Sequence, residues 1–267
     1  MTSTRSSRTP HGTLPSSLLF VSLVIAPGAA MAQDGAAGRS FVEEFDTLDR
    51  SFWYVSDGWS NGDHQNCTWS KKQLTLDNGT LQLEFAKAQA GDRDYACAEL
   101  QSRPRYGYGT YEVRMRAASG SGLNSAFFSY IGPVDKQPHD ELDFEVLGKD
   151  SSQVQVNQYV SGRGGNEKLV PVAGGADKDF HDYAFIWEKQ RLRYFVDGKL
   201  VHEVTDATKI PSHPQKIFVS LWGSDNLIGW LGSFSYAGPV SMAVDRIAYT
   251  APGEDCRFPQ SVLCEIE

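Results

Sequence analysis

The chain has 267 residues, and its 33 acidic side chains outnumber 25 basic ones for a formal net charge of -8. Such a balance offers no field for phosphates, so nucleic acid is not expected as a partner. Hydrophobic residues make up 40%, with 25 Gly and 12 Pro, which suits a globular, turn-rich chain long enough for one large β domain.

The first segment reads as an export signal. Arg5 and Arg8 give a basic start, residues 18–26 form an apolar run, and Ala30-Met31-Ala32 fits a small-x-small cleavage site. The run is too short to span a bilayer, so no stable membrane insertion is expected. Residues 1–32 are therefore assigned to a signal peptide, and the mature protein is expected to be secreted, in the periplasm or outside the cell.

After the signal, short alternating runs dominate. Strands are predicted over 73–76, 81–85, 109–115, 126–131, 139–146, 154–160, 181–188, 191–196, 216–222 and 240–249. Asp77-Asn78-Gly79 and Asp197-Gly198-Lys199 read as hairpin turns. No stretch sustains a helical period; residues 205–210 are the best place for a turn or two of helix. Regular short strands without helices predict an all-β sandwich of two sheets over 33–250, followed by a tail over 251–267. A monomer is expected.

The stretch from His139 to Val146 carries the chemistry. Read as a strand, Glu141, Asp143 and Glu145 share one face, while Leu142, Phe144 and Val146 face a core. Like charges on one sheet face destabilise it, a cost a fold accepts more readily where the charges act. The alpha carbons of Glu141 and Glu145 would lie roughly 13 Å apart, and leaning side chains bring the carboxyls to about 5 to 6 Å. That is near the separation of about 5 to 5.5 Å expected of a glycosidase that retains anomeric configuration. Asp143 between them would hold one neighbour protonated. A wet acidic sheet face or a calcium site would carry a similar pattern, so the strand needs support from the rest of the chain.

Aromatic residues supply part of that support. Trp59, Trp69, Tyr130, Tyr159, Trp222 and Trp230 lie in or beside segments rich in Gly, Asn and Ser. Pyranose faces stack on such rings, and Asn61, Asn157 and Gln158 offer amides for sugar hydroxyls. Four cysteines in an exported chain read as two disulfides with three pairings open. Cys256 and Cys264 are close enough to close a small loop in the tail, which leaves Cys67 with Cys97.

The run Glu141-Leu142-Asp143-Phe144-Glu145-Val146-Leu147-Gly148 resembles the active-site strand of family 16 glycoside hydrolases. Its unbulged form is similar to the lichenase and xyloglucan transglycosylase branch rather than to laminarinases. The resemblance runs over about residues 41–249, through Asp57-Gly58-Trp59-Ser60-Asn61-Gly62, Asn66-Cys67-Thr68-Trp69, Cys97-Ala98-Glu99, Tyr106-Gly107-Tyr108-Gly109, Phe127-Phe128-Ser129-Tyr130, Leu221-Trp222 and Trp230-Leu231-Gly232.

The family implies a concanavalin-like β-jelly roll of two antiparallel sheets and no cofactor for catalysis. It implies Glu141 as nucleophile, Asp143 as electrostatic helper and Glu145 as general acid/base. Asn61, Glu99, Tyr130, Asn157 and Trp222 match sugar-contacting positions, and Trp59 falls where lichenases carry a Tyr. Tyr159, Trp230 and His139 are added as further substrate-binding candidates. The resemblance also supports a Cys67–Cys97 disulfide and places Asp245 at a structural calcium site on the convex face.

Departures narrow the branch. His139 stands where lichenases carry Trp, and Gln101 where they carry Arg. His139, the stretch Ser121-Gly122-Leu123-Asn124-Ser125-Ala126 and the cysteine-bearing tail resemble the rhizobial endo-1,3-1,4-β-glycanases that depolymerise succinoglycan. A His beside a carboxylate cluster could hydrogen-bond the nucleophile or Asp143 and tune their titration. The expected activity is a secreted, retaining endo-β-glycanase acting on a β-1,3-1,4-linked glucan or a succinoglycan-type polysaccharide. A transglycosylase of the same family and a lectin-like binding module are the rival readings.

Overall fold

The structure is a computed structural model and describes residues 38–266; the signal segment expected over 1–32 lies outside them. The described strands are β1 (Phe41–Glu43), β2 (Trp53–Val55), β3 (Cys67–Trp69), β4 (Leu74–Asp77), β5 (Thr80–Ala90), β6 (Arg93–Ser102), β7 (Gly109–Arg116) and β8 (Leu123–Ile131). They continue as β9 (Asp140–Leu147), β10 (Gln153–Tyr159), β11 (Lys168–Pro171), β12 (His181–Glu188), β13 (Arg191–Val196), β14 (Lys199–Val204), β15 (Lys216–Gly223) and β16 (Val240–Thr250). The hairpins β4–β5 and β13–β14 turn where the sequence signals them. Asn78 and Gly79, and Asp197 and Gly198, all have positive φ. Two left-handed residues in a row match the twist of paired strands.

Two layers result. The first has the order β11-β10-β9-β8-β15-β6, with β2 also on β6; the second has β5-β16-β7-β12-β13-β14, with β1 on β16 and β4 on β5. The long strands β5 and β6 pair with each other and so join the layers. This is the two-sheet jelly-roll sandwich that the alternating pattern and the resemblance predict. Pairing is antiparallel except between β3 and β6, which run parallel.

Aromatic side chains fill the space between the layers. Phe127 and Phe144 of the first layer pack on Phe185 of the second, with centroids 5.8 and 6.4 Å apart. Phe144 also meets Tyr183 and Tyr194 at 5.4 Å. All five rings are buried, and each contributes about 1.5 to 3 kcal/mol by leaving water. The inward face of β9 therefore anchors the strand whose outward face carries the three carboxylates.

Both disulfides form, Cys67 with Cys97 and Cys256 with Cys264. The first ties β3 to β6. The second closes the tail, which lies on the outer face of the second layer. There Glu112 of β7 accepts bonds from Ser261 Oγ and Val262 N, each at 2.8 Å, and Arg246 covers the Phe258 ring.

Six strands escape the sequence reading: β1, β2, β3, β6, β11 and β14. In β6 the buried positions include Ala96 and Ala98, too small to register as an apolar stripe. The segment 205–210 makes only a short 3-10 turn, Ala207–Lys209. The one α-helical turn among the described residues is Ile228–Leu231, where no helical period was visible.

Candidate active site

Strand β9 sits between β8 and β10, and the register fixes what stands beside each carboxylate. Glu141 lies between Tyr130 and Tyr159, Asp143 between Phe128 and Asn157, and Glu145 between Ala126 and Gln155. Directly opposed residues share a face, so all nine point away from the core. The rows continue across the sheet: Ala126 faces Ser220, and Ser220 faces Glu99.

The row from Glu145 to Glu99 thus passes over two small side chains. Three strand spacings separate the two acids, roughly 14 Å. Phe128 and Phe218, stacked at 4.7 Å, border the row on one side. Asn124 and Trp222, paired across β8 and β15, border it on the other. The result is a trough with a floor of small residues and partly aromatic walls. At its β10 end an open cavity of about 340 Å³ is lined by Glu141, Asp143, Glu145, Gln155, Asn157, Tyr159, Glu167 and Trp230.

The three carboxyls differ electrostatically. Burial pushes Glu145 up to about 8; the Asn124 Nδ2 bond to its Oε1, at 2.9 Å, opposes that rise, and Glu141 and Glu167 add to it. Burial, then the charges of Glu141 and Glu145, hold Asp143 well above the usual carboxylate range. Asp143 shares a hydrogen bond with Glu141 and is 3% exposed. Glu141 meets an imidazole instead: its Oε2 is 2.6 Å from His139 Nε2, and that hydrogen bond raises the pKa of the ring. One strand thus presents a carboxyl that stays protonated near neutrality beside one held by an imidazole. That division of labour is what two-carboxylate chemistry requires.

Most of the other sequence-predicted residues lie along the trough. Trp222 and Trp230 converge with centroids 6.1 Å apart, and Trp230 Nε1 donates to Gln155 Oε1 at 2.8 Å, opposite Glu145. His139, Tyr130 and Tyr159 group around Glu141, with Tyr159 stacked on the imidazole at 4.8 Å. Glu99 lies beyond Ser220, 2% exposed, held by Ser56 and Gln101 and pushed by burial up to about 7.

Trp59 and Asn61 are on the loop between β2 and β3, beside Trp69. That loop reaches the trough through His64, whose ring meets Trp222 edge-on at 5.6 Å. Gln158, by contrast, alternates to the core side of β10, so its amide is not offered to the trough.

Asp245 stands apart, at a bulge in β16 on the second layer. Its carboxylate lies 3.5 Å from Arg114 Nε. Among the described residues no group of three or more His, Cys, Asp or Glu could hold a metal. The side chains there do not make a metal shell, and a cation would have to draw on backbone carbonyls.

The sequence reading missed Asn124, Gln155 and Glu167. Gln155 precedes Asn157 and Tyr159 by the strand period, so extending that pattern two residues would have found it. Asn124 becomes visible only through the pairing of β8 with β9, and Glu167 lies just outside β11.

Comparison with known proteins agrees with this geometry. The model of glycosyl hydrolases family 16 matches residues 61–238. The chain is 61% identical over 229 residues to the endo-1,3-1,4-beta-glycanase ExoK of Rhizobium meliloti (strain 1021), covering 86% of this chain and 85% of that one. It is 39% identical to a beta-glucanase of Bacillus subtilis (strain 168), over 87% of this chain and 93% of the other. The solved Bacillus licheniformis beta-glucanase superposes with a TM-score of 0.76 at 38% identity, over 80% of this chain and 99% of that one.

Proposed function

This chain belongs to the glycosyl hydrolases of family 16 and is a glycoside hydrolase, and from that premise we propose that it is a secreted endo-β-glycanase that retains anomeric configuration. The observation that carries the reading is the unlike pair on one strand face. Glu145 keeps its proton up to about pH 8, while Glu141 faces an imidazole.

In the proposed reaction Glu145 protonates the leaving glycosidic oxygen as Glu141 attacks the anomeric carbon. The C–O bond breaks, a glycosyl ester forms on Glu141, and the released sugar carries the proton. Water then attacks the anomeric carbon, Glu145 takes a proton from it, and the bond from that carbon to the Glu141 oxygen breaks to regenerate the carboxylate. Asp143, pushed toward its protonated form by burial and by the two flanking acids, limits the repulsion between them. These steps use only protein side chains and water. A structural calcium at Asp245, as the family resemblance implies, would sit on the other layer and supply no chemistry.

The trough suits an internal stretch of a chain, because it is open across several strands. Trp222 and Trp230 supply stacking faces at the Glu145 side, and Asn157, Gln155 and Glu99 supply polar partners. The proposed substrate is a β-1,3-1,4-linked glucan or a succinoglycan-type exopolysaccharide, supported by the name of the Rhizobium relative and by His139 ahead of the acidic strand. The enzyme is proposed to act as a monomer after removal of residues 1–32.

Viscosity loss and reducing-end release on barley β-glucan, succinoglycan, laminarin and xyloglucan, run in parallel, test the reading. Rapid viscosity loss on one of the first two is expected. Absence of new reducing ends on every polymer would leave a binding module. Products longer than the donor when oligosaccharide is added would leave a transglycosylase.

A further inference from the structure

His139 lies just outside the acidic strand, yet its contact to Glu141, at 2.6 Å, is shorter than the Asn124 bond to Glu145. The imidazole has little freedom. Tyr159 lies flat against it at 4.8 Å with an interplanar angle of 15°, and Tyr130 meets it edge-on at 5.2 Å. The Tyr159 ring is itself backed by Gly164, where a Cβ would come within 2.4 Å of the ring.

The backbone on either side is pinned as well. Gly162 N donates to the His139 carbonyl at 2.8 Å. The neighbouring Asp140 is 1% exposed and accepts from Ser161 N, Ser212 N, His213 N and His213 Nδ1. Two loops are thereby tied to the start of β9. An exposed surface histidine needs none of this support.

On the retaining reading given above, we propose that His139 is a positioning residue: it holds Oε2 of Glu141 so that Oε1 is presented to the anomeric carbon. The groups facing the imidazole are Glu141 and Asp140 from β9, Tyr130 from β8 and Tyr159 from β10. The hydrogen bond to Glu141 favours the protonated ring, against the effect of burial. When the ester forms on Oε1, Glu141 loses its charge and the His139 bond becomes a weaker one to a neutral acceptor. When water breaks the ester, the charged bond returns. The proton on Nε2 stays in place throughout; the proton that moves is that of Glu145.

The test compares wild type, His139→Ala and His139→Gln on soluble β-1,3-1,4-glucan, with and without added imidazole or pyrazole. His139→Ala should lower kcat by about 10- to 100-fold while KM stays within about threefold, as expected for a misaimed nucleophile. His139→Gln, which keeps an N–H donor, should recover part of the loss. Imidazole should revive the alanine variant and pyrazole, of the same shape but uncharged, should not.

Unchanged kcat would overturn the proposal, as would a loss confined to KM or equal rescue by both azoles. The wild-type assay separates the two levels. An inactive wild type defeats the glycosidase reading itself; an active wild type matched by His139→Ala defeats only the role of His139.

Discussion

Asn124 donates from Nδ2 to Oε1 of Glu145 at 2.9 Å, a contact between neighbouring strands that bears on when the acid gives up its proton. A bond to the charged form lowers a carboxyl's pKa, and here it works against burial. Wild-type activity should fall as pH rises through about 8, because Glu145 must be protonated for the first step. Asn124→Ala should move that alkaline limb to higher pH. A kcat/KM profile checks this, and a limb that stays in place would detach Asn124 from the titration.

The division of roles along β9 gives a second expectation. Glu141→Ala should lose at least about 10⁴-fold of its activity, since no ester can form. Azide should restore part of the rate and yield a glycosyl azide of inverted configuration, read by NMR. Glu145→Ala should keep the first step on aryl glycosides with good leaving groups. Full activity in Glu141→Ala would remove the nucleophile assignment.

The same buried acid should weaken the fold. Glu145 sits at about 8 when folded against an ordinary value of 4.5. The folded state therefore binds more protons between these values, and stability declines as pH rises from about 4.5 to about 8. Glu145→Gln does not titrate. Its melting temperature should match wild type near pH 4.5 and exceed it by a few degrees, about 2 to 6 °C, at pH 8.5 after allowing for partial exposure. Calorimetry at the two pH values decides it; a constant difference would contradict the linkage.

The two disulfides should differ in weight. Cys67 and Cys97 are separated by 30 residues and are buried, and cross-linking such a loop stabilises by about 3 to 4 kcal/mol. Cys256 and Cys264 are 8 apart in a tail that meets the second layer through a small cluster of Ala184, Ile186, Phe195 and Val262. Replacing the first pair by Ala should lower the melting temperature at least twice as far as replacing the second. Equal losses would mean that the tail is integral to the sandwich.

Much of this was legible before any fold was known, because period-2 alternation is a local signal. It places Glu141, Asp143 and Glu145 on one face and Phe144 on the other, and the Asn-Gly and Asp-Gly turns announce themselves. What escaped depends on partners far apart in sequence. Trp222 and Trp230 reach Glu145 only through β15 and the helical turn after it, and Asn124 only through the β8–β9 register. Gln158 offers a sugar-binding amide by residue type, yet strand parity sends it inward. The sequence leaves His139 a choice between Glu141 and Asp143, and the geometry pairs it with Glu141.

The tail bound to Glu112 lies on the face of the second layer turned away from the carboxylates. A linker added beyond Ile266 would leave the molecule behind its working surface. The enzyme could be tethered to a bead or a cellulose film from that side, with the trough open to polymers too long to diffuse into a pore.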